Sequence, residues 1–111
     1  MDGFYAAYIT ARAGQSIILW VIRGQTMIGV DMGGIKYDGE LIQTSTGVYR
    51  CSVVYIVPAG GLVITGSPPA AAPQRIPVQF ELPADFANGQ VINIVTPLGP
   101  VNARFEKLRD L

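Results

Sequence analysis

The chain has 111 residues, half of them apolar and 14% charged, with eight basic and eight acidic side chains, one cysteine and no histidine. That length suits one domain, 1–111, and is too short for two. The composition is far from a disordered one, and a net charge of zero leaves no cationic surplus for a phosphate backbone, so no direct nucleic-acid partner is expected. A lone cysteine excludes an internal disulfide and a cysteine-based zinc site. Met1-Asp2-Gly3-Phe4 lacks the basic start of a signal peptide. The longest apolar run, Ile17 to Ile22, is six residues, against about 20 for a membrane span. A cytoplasmic, soluble protein with no membrane partner is expected.

In chain order, the signal is alternation of apolar and polar positions between turn residues, the mark of short strands. Phe4 to Ala11 is a first strand, closed by Ala13-Gly14. Ser16 to Arg23 is a second, with Ile17, Leu19 and Val21 on one face and Ile18, Trp20 and Ile22 on the other. Gly24-Gln25 fits a two-residue hairpin turn that places glycine first. Thr26 to Val30 is a third strand, Lys36 to Gln43 a fourth and Gly47 to Val57 a fifth. Pro58-Ala59-Gly60-Gly61 turns into a short sixth, Leu62 to Thr65.

A proline-rich connector occupies 67–75, with Ser67 to Pro73 reading Ser-Pro-Pro-Ala-Ala-Ala-Pro. Its prolines remove backbone donors and bracket the alanines against helix formation. Ile76 to Leu82 alternates cleanly, and Pro77 argues for an edge position. Pro83 to Asn88 suits a single helical or 3₁₀ turn, with Asp85 as a cap. Val91 to Thr96 and Val101 to Phe105 are the last strands, and Lys107 to Leu111 reads as a polar tail. No helical periodicity exceeds a turn. The expected fold is all-β, a small antiparallel up-and-down barrel of about eight strands; closure removes exposed edges.

Two strands, Ile17 to Ile22 and Val53 to Val57, are apolar on both faces. With no helix to cover the outer face, a second copy is the natural cover, and a homodimer is expected. The interface is assigned to Ile18, Trp20 and Ile22 with Val53 and Tyr55.

The chemistry is sparse. Without histidine the commonest general base is missing, and Cys51 sits within a strand like a small buried hydrophobe. Asp31, Asp38 and Glu40 come closest together and could be drawn as an acid/base or calcium site; turn capping and solvated surface are the plainer reading. Gly29, Gly33 and Gly34 read as a bulge and a turn, because neither a lysine nor a helix follows as a phosphate loop requires. No catalytic, cofactor or metal site is assigned, and no enzyme is expected.

Asp2-Gly3-Phe4-Tyr5, Gly29-x-Asp31 and Tyr37-x-Gly39-x-Leu41, with a compatible Val101-x-Ala103-x-Phe105, resemble the GrlR family, named for a negative regulator of type III secretion. The resemblance implies a calycin-like β-barrel that dimerises and sequesters a transcriptional activator, a regulatory protein, by direct contact. In that family an acidic run after the Tyr-x-Gly strand is implicated in activator binding. The matching stretch here, Leu41 to Gly47, contains no acid, so no activator-contacting residue carries over. The exposed hairpin Gln43, Thr44, Ser45 and Thr46 remains the place where a partner would dock. The alternative is a lipocalin-type binder of a small apolar ligand inside the barrel. Ala6, Ala7, Gly39 and Ala103 would leave room there; Trp20, Phe80 and Phe105 would fill it.

Overall fold

The structure, a computed structural model, describes residues 1–45, 47–61, 64–66 and 68–111. Eight antiparallel strands follow one another: β1 (Gly3–Ala11), β2 (Gly14–Arg23), β3 (Thr26–Asp31), β4 (Lys36–Ser45), β5 (Val48–Val57), β6 (Gln74–Pro83), β7 (Asn88–Thr96) and β8 (Gly99–Asp110). They form one sheet in the order β6-β5-β4-β3-β2-β1-β8-β7, curled into a nearly closed barrel. The seam lies between β6 and β7, which approach each other without pairing. Pro77 therefore does stand on an edge strand, where its missing N–H breaks no ladder.

The alternation read from the sequence is the inside–outside alternation of the barrel. In β6, Val78 and Leu82 are buried while Pro77, Gln79 and Glu81 are exposed. Arg23 pairs with Thr26 across a two-residue turn, and Gly24 has φ +59° while Gln25 is not left-handed. That geometry is the type II′ turn, which matches the twist of the flanking strands.

One row of paired residues crosses the interior: Tyr5 opposite Trp20, Trp20 opposite Gly29, Gly29 opposite Tyr37, Tyr37 opposite Tyr55. Inward-pointing aromatics on every strand would collide. Gly29 supplies the gap. A Cβ there would lie 2.8 Å from the Leu19 carbonyl oxygen and 2.9 Å from Trp20 Cε3, so the indole occupies the space a side chain would take. Trp20 and Tyr37 thus approach to 5.3 Å across the glycine, and Tyr37 meets Tyr55 edge-on at 4.7 Å, distances at which aromatic pairs attract beyond simple burial. Gly39 plays the same part beside Val53, whose Cα would be 2.8 Å from an added Cβ. Gly29 is a packing glycine, not the bulge expected from its neighbours in sequence.

The ends of the barrel are closed by turns. The 84–87 turn, held by Phe86 N–H to Pro83 O at 3.0 Å and Asn88 N–H to Asp85 O at 3.1 Å, drives Phe86 inward against Tyr5 and Phe105. At the other end Ile64 packs on the core, and its carbonyl accepts from Ala13 N–H at 2.7 Å. The expected strand from Leu62 to Thr65 does not form: Ile64 and Thr65 lie in a turn, and Leu62 and Val63 are outside the described residues. Gln74 and Arg75 belong to β6 rather than to the connector. The polar tail is likewise a strand. β8 runs to Asp110 because β1 offers backbone partners as far as Gly3, and a polar sequence pairs as well as an apolar one where its side chains face water.

Replacing Gly29 with alanine is expected to lower stability by about 1–3 kcal/mol, the usual cost of overpacking a filled core. Urea unfolding of the two proteins measures it, and an unchanged midpoint would show that the indole is free to move aside.

Candidate functional site

Apolar side chains fill the inside, and charged ones stand outside most strands, the reverse of a membrane-spanning barrel. Two stretches depart from this: β7, which carries no charge and exposes Val91 and Val95, and a band across β1, β2 and β3. Phe4 pairs with Val21 and Val21 with Ile28; Ala6 pairs with Leu19 and Leu19 with Val30. All six point outward, and Ala6 is small enough to be buried beneath its neighbours. Phe4, Leu19, Val21, Ile28 and Val30, with Ile56 and Leu108, line an apolar groove that also meets Lys36 and Asp38. Beyond Tyr8 the surface turns polar: the Tyr8 hydroxyl donates to Glu106 at 3.1 Å, and the Arg104 guanidinium lies over the ring.

The assigned interface residues lie on the other face. Ile18, Trp20, Ile22 and Val53 are buried inside the barrel, and Tyr55 packs against the same core. The correction is one of phase. Trp20 is paired to Gly29 and Tyr5, so the even-numbered set of β2 points inward and Ile17, Leu19 and Val21 point out. On β5 the outward apolar residues are Val54 and Ile56, both half-buried.

Gln43, Thr44 and Ser45 are exposed, as a docking hairpin requires; Thr46 lies outside the described residues. The hairpin is not free-standing, since Ala84 N–H donates to Gly47 O at 2.8 Å.

The three acids do not form a site. Asp38 and Glu40 project outward from β4 into solvent. Asp31 fastens the β3–β4 turn: its Oδ1 accepts from Gly33 N–H at 2.9 Å and Ile35 N–H at 3.0 Å, and its Oδ2 accepts from the Tyr37 hydroxyl at 2.8 Å. Among the described residues, no three His, Cys, Asp or Glu side chains stand close enough to share a metal ion.

Inside, a cavity of about 50 Å³ remains at the end covered by Ile64 and Thr65. Its wall is mostly apolar, and two of the residues lining it carry buried polar atoms without partners among the described residues. The Trp20 Nε1–H and the Thr65 hydroxyl are both buried, and neither makes a hydrogen bond among the described residues. Such a group forfeits about 1–3 kcal/mol relative to a satisfied one. Nothing in the sequence flags this, because a strand tryptophan reads as core whether or not its N–H is satisfied.

Comparison with protein-family models, with curated proteins and with solved structures finds no match to this chain. The positions that carry the family resemblance nevertheless have work in the barrel: Gly29 makes room for Trp20, Asp31 holds Tyr37, Gly39 lets β5 approach, and Leu41 is core.

Burial sets the ionisation of the interior. It pushes the Cys51 thiol and the Tyr55 hydroxyl up to about 12. The Tyr37 hydroxyl is raised by burial first and then by the charge and hydrogen bond of Asp31. All three are thus held neutral in the fold, whereas the unfolded chain releases their protons from about pH 9 upward, near the ordinary values of 9.0 and 10.0. Stability is expected to be level below about pH 9 and to fall between pH 9 and 12, because there the unfolded state binds fewer protons than the folded one. Cys51→Ala is expected to make that fall shallower in urea titrations across this range. A native Cys51 that alkylates at pH 8 as fast as in denaturant would contradict the burial.

Proposed function

We propose that the protein works by protein–protein contact, and that its first partner is a second copy of itself joined across the β1–β3 face. The observation that carries this reading is the outward apolar band, placed on three adjacent strands of a barrel whose inside is already filled. Contiguous apolar surface rimmed by polar residues is the usual mark of an interaction site. A second copy fits because the rim is balanced, with the Lys36 ammonium and the Asp38 carboxylate on the same border. A two-fold contact therefore sets no like charges of a one-signed patch against each other, and the chain as a whole carries no net charge to keep copies apart. A stable contact needs roughly 800 Å² per partner, about an eighth of the 6404 Å² surface.

A regulatory role of the kind implied by the GrlR-like motifs, holding a transcriptional activator, is compatible with this arrangement. Gln43 to Ser45 lie at the far end of β4 from Lys36, so a partner on the hairpin does not compete with a second copy on the band. The lipocalin-type reading finds less support. Ligand pockets for drug-sized molecules are about 300–1,000 Å³, and the interior retains about 50 Å³.

The test is the mass in solution. The wild-type chain is expected to be a dimer at micromolar concentration by light scattering. Leu19→Asp and Val30→Asp, at positions 54% and 44% exposed in one chain, are expected to leave the fold intact. Each raises the dissociation constant on the order of 100-fold, about 2.8 kcal/mol, by placing a carboxylate in the contact. A wild-type chain that stays monomeric at 100-fold higher concentration (roughly 100 µM, a dimer weaker than about −5.5 kcal/mol) would remove the self-association reading.

A further inference from the structure

The two strands that border the seam carry backbone groups that no other strand of the barrel uses, and the register identifies them. At the end of β6 the Ala84 N–H donates to Gly47 O at 2.8 Å. That bond brackets Val48 and Pro83 as a pair that exchanges no hydrogen bonds of its own. The β5–β6 register runs unbroken from there, and antiparallel pairs alternate between bonded and non-bonded. Glu81, Gln79 and Pro77 are therefore non-bonded to β5, and their backbone groups point into the seam. On β7, Val95 stands opposite Pro100. Pro100 has no N–H to exchange, so that pair is non-bonded. Asn93 opposite Asn102 and Val91 opposite Arg104 share its phase. The Asn93 side-chain amide donates to Asn102 Oδ1 at 3.0 Å, in keeping with the closer side chains of such pairs. Val91, Asn93 and Val95 thus each turn an N–H and a C=O toward β6, which does not pair with them.

The two edges are unlike. β6 is blunted: Pro77 and Pro83 offer no N–H, and Glu81 sets a charge between them. From Val91 to Thr96, β7 has no charge, proline or bulge, and Val91 and Val95 are 68% and 73% exposed. An edge of this kind is a template for another strand. Between the edges runs a groove of about 590 Å³, with Gln79 and Glu81 on one wall and Asn93 and Val95 on the other. Phe80 and Ile94 point inward at its floor. Whatever pairs here must be free on both of its own edges, because β6 stands across the groove. A second copy fails that condition, since its β7 brings β8 with it. A single extended segment of another protein meets it.

We propose that the seam binds an extended, uncharged peptide segment of about five residues, added to β7 as an antiparallel strand. Its main chain exchanges hydrogen bonds with Val91, Asn93 and Val95. Its β-branched side chains pack opposite the two valines, and the alternate ones turn inward over Phe80 and Ile94. The site goes beyond the pairing of two copies and does not depend on it. β3 and β2 are the middle strands of the order, so the seam lies across the barrel from the outward band.

Amide hydrogen exchange followed by NMR tests the edge and the binding together, in the unaltered chain. In the free protein the Ile92, Ile94 and Thr96 amides, bonded to β8, are expected to exchange slowly, and those of Val91, Asn93 and Val95 fast. The probe is acetyl-Lys-Val-Ile-Asn-Ile-Val-Lys-amide, with lysines outside the paired stretch for solubility. Its centre repeats residues 91–95, an order that reads the same from either end, so antiparallel pairing sets like against like. The peptide is expected to move the Val91, Asn93 and Val95 amide protons downfield saturably and to slow their exchange at least about tenfold. The same peptide N-methylated at its Asn and both Val keeps the side chains and loses the donors aimed at β7. It is expected to bind at least about tenfold more weakly. Equal binding of the two peptides would overturn the proposal, showing adsorption to apolar surface without strand pairing. So would Val91, Asn93 and Val95 amides already slow in the free chain, or shifts confined to Leu19, Val30 and the outer band. The absence of any saturable shift at about 1 mM peptide would overturn it too.

Discussion

The barrel is organised around the place where Trp20 lies over Gly29. A small barrel has room for few large side chains in any one layer, and this one carries Tyr5, Trp20, Tyr37 and Tyr55 in a single inward row. Dispersion attraction rewards close contact but turns sharply repulsive when atoms overlap, so the row is stable only if one position is left without a side chain. With the indole seated there, Tyr37 is held against it, and the Tyr37 hydroxyl reaches Asp31. That bond ties the β3–β4 turn to the core. The cost falls on the buried indole N–H, which finds no acceptor among the described residues.

The same row decides what the protein shows to its surroundings. Because period-two alternation is strict, fixing Trp20 inward fixes Leu19 and Val21 outward, and these join Phe4, Ile28 and Val30. Interior packing and outer adhesiveness are therefore two faces of one register. A shift of β2 by one residue would exchange them, placing Leu19 in the core and Trp20 on the surface.

How much of this was legible in the amino-acid order depended on whether each strand carried polar markers. β6, with Gln79 and Glu81 set against Val78 and Phe80, states its own phase, and its strand and edge position follow from the residues. β2 does not. From Ile17 to Ile22 every position is apolar, and a periodic pattern without polar members has a period but no phase. The inward face was accordingly mistaken for the outward one, and only the partner strand, with Gly29 opposite Trp20, resolves it. The last residues misled for the opposite reason: Lys107 to Leu111 are polar enough to look like a tail, yet the pairing of Lys107, Arg109 and Asp110 with β1 is a backbone matter. Phe86 was hidden in a turn-forming stretch, Pro83-Ala84-Asp85, where an inward aromatic leaves no periodic trace. The placement of Asp38 and Glu40 on one solvent-facing side of β4 was easier to anticipate, since it follows from their spacing.

The position of the seam has a consequence for how the chain reaches this state. Six of the seven strand pairings join neighbours in sequence, while the seventh brings β1 against β8, with Gly3 opposite Asp110. Loop-closure entropy grows only slowly with length, but it must be met before contacts across the whole chain can form. The meander from β1 to β6 and the hairpin of β7 and β8 can each assemble locally, whereas their union waits on the meeting of the two termini. The barrel is thus cut between β6 and β7, which are joined by a four-residue turn, and sewn where its ends are farthest apart in sequence. Docking of the β7–β8 hairpin onto β1 is the natural rate-limiting event of folding, and its rate is set by topology more than by the strength of the core.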